Sequence, residues 1–126
     1  MRVLLARALA VEAEMLLADE PTAALDPLHQ LQAMDLLRSV ANRGAGVVVV
    51  LHDLTLAMRY CDRIVLLDRG RIALEGPPSS LTNRLISETY GIEVVRGEHE
   101  GTPFLVPWRP LEAYRHEEER PDHERR

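Results

Sequence analysis

The sequence predicts an α/β fold with a mainly parallel sheet, helices on both of its faces and a C-terminal hairpin. Three observations carry that reading. Val47-Val48-Val49-Val50-Leu51 is apolar on both sides, as a parallel strand covered by helices requires. Short apolar runs alternate with helical periodicity in the order αβαβαβ. Beyond them, turn chemistry separates closely spaced apolar runs, which predicts antiparallel hairpins.

Each element follows from its residues. Residues 3–11 are rich in Ala and Leu and predict a helix; no capping residue precedes it, so it reads as a helix entered part-way. Residues 14–18, Glu-Met-Leu-Leu-Ala, are too short for a helix and close on Asp19-Glu20-Pro21, which favours a strand. Asp26-Pro27 is a strong helix start, since Asp caps and Pro is pre-organised at the first helical position. Leu28, Leu31, Met34, Leu37 and Val40 keep a spacing of three or four, so 27–43 reads as an amphipathic helix that Gly44 stops. After the valine strand, Asp53 can cap a helix over 54–60. Ile64-Val65-Leu66-Leu67 is a third strand, and Asp68-Arg69-Gly70-Arg71 turns it back into Ile72-Ala73-Leu74. Pro77-Pro78 breaks the chain before a helix over 79–89, which Gly91 ends. Residues 92–95 and 103–106 pair as a second hairpin across a polar Gly97–Gly101 loop. From Glu112 the chain is rich in Arg, Glu and His and reads as a solvated tail.

Composition narrows the function classes. The chain has 126 residues and a formal charge of −5, so no broad cationic field is available for nucleic acid. All 15 basic residues are arginine. Without lysine there is no Schiff-base chemistry and no complete P-loop, because G-x-x-x-x-G-K-[ST] needs its lysine on the β/γ-phosphates. One cysteine excludes an internal disulfide framework. The longest apolar run, Val47 to Leu51, is far short of the ~20 residues of a membrane helix, and Arg7 interrupts any leader-like N-terminus. The expected setting is the cytoplasm.

Polar clusters stand just past the expected strand ends: Asp19-Glu20, His52-Asp53 and Asp68. Open α/β sheets bind ligands outside the carboxyl ends of their strands. Asp19 is suited to Mg²⁺, which takes one or two carboxylates and keeps several waters. Glu20 would polarise an attacking water, assistance typically worth ~10²–10⁴-fold. Taken alone, Asp-Glu is better described as a solvated acidic turn, and His52 as a strand-end histidine bonding backbone. Asp26 is a helix cap in its own right. Cys61 reads as a small packing residue, Phe104 and Trp108 as packing anchors of the second hairpin, and Arg69 and Arg71 as surface charges. His99, His116 and His123 are too irregularly spaced for a metal site.

The segment Met15-Leu16-Leu17-Ala18-Asp19-Glu20-Pro21-Thr22-Ala23-Ala24-Leu25-Asp26 resembles the Walker B strand and D-loop of the ATP-binding cassette (ABC) ATPases. Val47 through Leu51 with His52-Asp53 resembles the family's switch segment, the H-loop, at the matching distance downstream. Residues 2–9 resemble the helix after the family's signature motif, and Cys61 through Ile72 the strand-turn-strand that closes the core. The resemblance runs from Arg2 to about Gly91. It implies a Mg²⁺ role for Asp19, a water-activating role for Glu20, a γ-phosphate contact for His52, and for Asp26 a place on the face that meets a second subunit.

The resemblance covers about the C-terminal half of a P-loop NTPase-like domain: 1–91 a partial ATPase core, 92–111 a hairpin extension, 112–126 a charged tail. The P-loop and signature motif are not among these residues, so the chain alone is expected to be inactive, with a strand edge and apolar helix faces uncovered. The run His52–Tyr60, Gly76-Pro77-Pro78, Tyr90-Gly91 and Pro103–Pro107 are similar to ATPases of iron–siderophore, haem and cobalamin importers. That similarity implies ATP and Mg²⁺ as cofactors. It implies as partners a second ATPase subunit, a membrane permease and, indirectly, a substrate-binding protein. Nucleic acid is not expected as a partner. The chain would sit at the inner face of the membrane through the permease. The other readings are a soluble ABC ATPase of DNA repair or translation, and an inactive truncated or interaction module.

Overall fold

Helix, strand and turn follow the sequence through most of the computed structural model, which describes residues 14–115. The expected helix over 3–11 and the end of the tail lie outside the described residues. Two units divide the chain after Cys61.

In the first unit, β1 (Met15–Asp19) pairs in parallel with β2 (Gly46–Val50), with Leu16 opposite Val47 and Ala18 opposite Val49. The crossover between them is α1 (Pro27–Asn42), which starts as expected: Asp26 caps it by accepting from the His29 amide at 2.9 Å, and Pro27 opens the first turn. Gly44, at φ 102°, turns the chain into β2. Next comes α2 (Leu54–Tyr60), capped by Asp53, which accepts from the Leu56 amide at 3.0 Å. Met34 and Leu37 of α1 and Leu56 of α2 bury Leu16 and Ala18, with Val47, Val49 and Leu51 packed around them. Tyr60 and Arg38 tie the two helices together: the Tyr60 hydroxyl donates to Asp35 at 3.0 Å, and Arg38 donates to the Tyr60 carbonyl at 3.0 Å.

Among the described residues, helices cover one face of this strand pair. Both helices lie on the face of Leu16 and Ala18, while Leu17 on the other face is 74% exposed and Val48 53%. The unbroken apolarity of Val47–Leu51 marks a strand able to be covered twice. The described residues supply helices for one side only.

The second unit is built from local pairings. β3 (Ile64–Asp68) and β4 (Arg71–Gly76) form the expected hairpin around Arg69-Gly70, both at positive φ as a tight primed turn demands. Among the described residues the parallel pairing is β1–β2, and β3–β4 is antiparallel as a two-residue connection requires. A short 3₁₀ turn, Pro78–Ser80, precedes α3 (Asn83–Tyr90). The helix begins later than residue 79 because Thr82 is its cap, accepting from the Leu85 amide at 3.2 Å. Gly91 ends it in the left-handed conformation, as expected.

The last hairpin is longer than the sequence suggested: β5 (Ile92–His99) pairs with β6 (Thr102–Pro110) through a two-residue Glu100-Gly101 turn. Gly97 lies inside the ladder because the Phe104 ring covers it; a Cβ there would meet the ring at 2.2 Å. Phe104 is thus the expected packing anchor, whereas Trp108 is the extra residue of a bulge and is 59% exposed. Leu81, Ile86 and Leu105 supply buried apolar side chains. Arg96 donates to the Leu81 carbonyl at 2.5 Å and to Asn83 at 2.9 Å, fastening the hairpin to the start of α3. Glu112–Arg115 forms a single helical turn, α4, where the sequence suggested the start of a tail.

Candidate active site

The site lies in the first unit, at the carboxyl end of β1 and β2. In the parallel register Asp19 stands opposite Val50. The ladder then continues one residue past the strand, where the Glu20 amide donates to the Val50 carbonyl at 2.9 Å. This rung sets Glu20 beside the segment leading from β2 into His52. His52 Nε2 lies 2.5 Å from Glu20 Oε1.

Strand alternation separates the two adjacent carboxylates. Asp19 follows Leu17 onto the exposed face, opposite to buried Leu16 and Ala18. Glu20 leaves the alternation with φ at 49°, in the left-handed region. A non-glycine residue there is uncommon and locally costly, and such positions concentrate at functional sites. Pro21 follows it, and a residue before a proline ordinarily prefers extended backbone, so the left-handed Glu20 runs against its local preference. Pro21 and Thr22 are buried beneath the turn, and the Ala23 amide donates back to the Glu20 carbonyl at 3.1 Å.

The His52 side chain is 83% exposed and Glu20 40%, so the pair faces water. Exposed pairs of this kind contribute only ~0–1 kcal/mol to stability. Their geometry offers more to chemistry: a carboxylate able to accept a proton from water, next to an imidazole whose nitrogen can donate to an anionic oxygen.

Asp26 stands at the other end of the turn, where it caps α1 and has His29 Nδ1 2.7 Å from its Oδ1. The cap reading of Asp26 is therefore realised. Cys61 terminates α2 and is half-buried, in line with a packing residue. Sequence reasoning passed over Gln30, whose amide Nε2 donates to the Thr22 carbonyl at 3.3 Å and so touches the turn that bears Glu20. Its position, four residues after a capping Asp, was the only clue.

The donor set decides what the site can hold. Asp19 offers a single exposed, hard oxygen ligand, and no group of three or more His, Cys, Asp or Glu among the described residues could hold a metal by itself. That suits Mg²⁺ shared with phosphate oxygens and water, and does not suit a protein-only cage. For ATP the same residues fit the terminal phosphate alone, since the chain has no lysine and no glycine-rich phosphate loop.

No protein-family model matches the chain. Among solved structures it is similar to an ABC transporter described as metal-chelate type, in an inward-facing conformation, with a TM-score of 0.72 and 25% identity over 84% of this chain and 44% of that one. An ATP-binding subunit of an ABC transporter matches with a TM-score of 0.57 and 30% identity, over 71% and 35% of the two chains. The chain carries the fold of the ABC transporter ATPases and corresponds to the C-terminal half of their nucleotide-binding domain.

Within that family its sequence similarity runs to haem importers. It is 50% identical over 86% of its length to the hemin import ATP-binding protein HmuV of Rhodococcus jostii. The proteins of the same name from Streptomyces coelicolor and Thermobifida fusca are 51% and 44% identical over the same share. The chain spans about two fifths of the length of these curated relatives, 38–40%. No helix among the described residues is long and apolar enough to cross a membrane.

Proposed function

We propose that this chain supplies the water-activating side of the ATPase site of an ABC importer for a metal chelate, haem being the cargo its relatives' names favour. The observation that carries the reading is the contact of Glu20 with His52 at the shared carboxyl end of β1 and β2. Glu20 accepts the proton of the attacking water. His52 orients Glu20 through Nε2 and donates toward the terminal phosphate. Asp19 would hold Mg²⁺, which when bound neutralises phosphate charge that two neighbouring carboxylates would otherwise repel. Asp26, at the head of α1, would meet a second ATPase subunit. A permease and an external binding protein would complete the importer, and would hold this chain at the inner face of the membrane.

On this reading the isolated chain neither grips nor turns over ATP, because the glycine-rich loop and lysine that cradle a triphosphate are not among its residues. Isothermal titration of the chain with Mg-ATP should show no micromolar binding. Mixing it with a separately produced cassette half bearing a P-loop should produce ATP hydrolysis, which Glu20→Gln should lower by about 10²–10⁴-fold. Micromolar binding by the chain alone, or hydrolysis indifferent to Glu20→Gln, would overturn the proposal.

A further inference from the structure

The turn from Glu20 to Leu25 carries a strained residue yet has few ties of its own. Glu20 sits at φ 49° and Ala24 at φ 61°, two non-glycine residues in the left-handed region within five positions. Inside the turn, the Ala23 amide donates to the Glu20 carbonyl at 3.1 Å and the Leu25 amide to the Thr22 carbonyl at 3.3 Å. Thr22 is the one buried polar residue among the described residues, and its carbonyl accepts a second bond from Gln30 Nε2 at 3.3 Å. A carbonyl has two lone pairs, so the Leu25 amide and the Gln30 amide use both. Gln30 lies one turn into α1, whose start is held by Asp26 and whose buried face is locked by Met34 and Leu37. It is thus a link from a rigid element to the middle of the strained turn. The opposite end of the turn is held by the Val50 carbonyl on the Glu20 amide.

We propose that Gln30 is a positioning residue for Glu20: by holding the Thr22 carbonyl to α1 it keeps the turn in the conformation that presents the Glu20 carboxylate to His52. The role assigned to Glu20 rests on the function proposed above, but the clamp itself is read without nucleotide, so the two can fail separately. A helix-compatible side chain of similar length that lacks the donor should loosen the turn and leave the helix intact.

The test is amide hydrogen exchange and Glu20 backbone coupling by NMR on the full 126-residue chain. Gln30→Met keeps length and helix propensity without a donor, and Gln30→Glu keeps the shape but only accepts. Either variant should speed exchange at Ala23 and Leu25 by about three- to ten-fold, as loss of one ordinary hydrogen bond implies. The Glu20 HN–Hα coupling should move away from its left-handed value, while the amides of Met34 and Leu37 stay as protected as before. Gln30→Arg, which restores a donor, should return both signals toward wild type. Unchanged exchange at Ala23 and Leu25 in both donor-less variants would overturn the clamp. So would acceleration spread evenly over β1, α1 and β2, which marks a merely structural residue. If the clamp holds but Glu20→Gln leaves ATP hydrolysis unaffected, the functional reading fails and the clamp does not.

Discussion

The two units of the chain are made by opposite kinds of pairing. From Met15 to Cys61 the sheet joins strands whose partners lie about thirty residues apart in sequence, with α1 as the crossover between them. From Ile64 onward β3 pairs with β4 and β5 with β6, each through a two-residue turn. Non-local parallel pairing carries the larger loop-closure cost, and it is also what brings the ends of two distant segments side by side. The candidate site belongs to the first unit for that reason. Glu20 and His52 meet because β1 and β2 run parallel, an arrangement a hairpin cannot produce at its strand ends.

The sharpest way to break this comparison is to empty one core at a time. Met34→Ala removes a side chain only 1% exposed, and Ile86→Ala one that is 0% exposed. Each should cost about 2–5 kcal/mol, read by urea titration. Met34→Ala should deprotect the amides of β1 and β2 first, and Ile86→Ala those of α3 and its surroundings. Identical exchange patterns for the two variants would show that the units do not respond separately.

A smaller effect is expected inside the second unit. Gly97→Ala places a methyl where the Phe104 ring lies, so the ring must swing away or the ladder must open. Overpacking of this kind costs about 1–3 kcal/mol. The loss should be accompanied by a changed ring-current shift at Gly97's neighbours, and Phe104→Ala should relieve the added clash in a double-mutant cycle.

The first unit also has a pH signature. Partial burial, followed by the hydrogen bond to Asp35 and its charge, holds the Tyr60 phenol above its ordinary value of 10.0. A group raised in the folded state stabilises it fully below the unfolded value and loses that contribution as pH rises through the folded one. Thermal stability of the first unit should therefore decline above about pH 10, and Tyr60→Phe should flatten that part of the profile. An unchanged profile in Tyr60→Phe would remove Tyr60 as the cause.

The least effect on folding is expected at the site itself. Glu20→Gln and His52→Ala should each change stability by no more than about 1 kcal/mol, because the pair is exposed to water. A loss several-fold larger in a melt would mean that the contact holds the fold together and was not shaped for chemistry.

Much of this architecture was legible because it depends on neighbours in the chain. Asp26-Pro27, Asp53 and Gly91 mark helix ends through bonds that span three or four residues, and Asp68-Arg69-Gly70-Arg71 is a turn by its own chemistry. Where the reading went astray, a distant side chain or a competing local turn intervened. The expected Gly97–Gly101 loop is strand because Phe104 fills the space above Gly97. The helix expected from 79 waits for Thr82 because Pro78–Ser80 closes its own 3₁₀ turn first. The exposed face of β1 and β2 was invisible to pattern, since apolarity along a strand records what it can bury and not what is there to bury it.

The candidate site divides along the same line. Polar clusters past apolar strands marked Asp19, Glu20 and His52 as candidates, and the resemblance to the ABC ATPase segments gave them their expected roles. The residues determined the kinds of chemistry available and, through the absence of lysine, the phosphate grip that is not here. Tertiary structure decided the rest: that Glu20 turns out of strand alternation while Asp19 stays in it, that His52 reaches Glu20 Oε1, and that Gln30 touches the turn between them and α1. Those facts depend on a parallel register between distant segments and on a backbone path through left-handed residues. Neither is encoded in any short window, because each joins segments about thirty residues apart whose buried side chains share one core with α1.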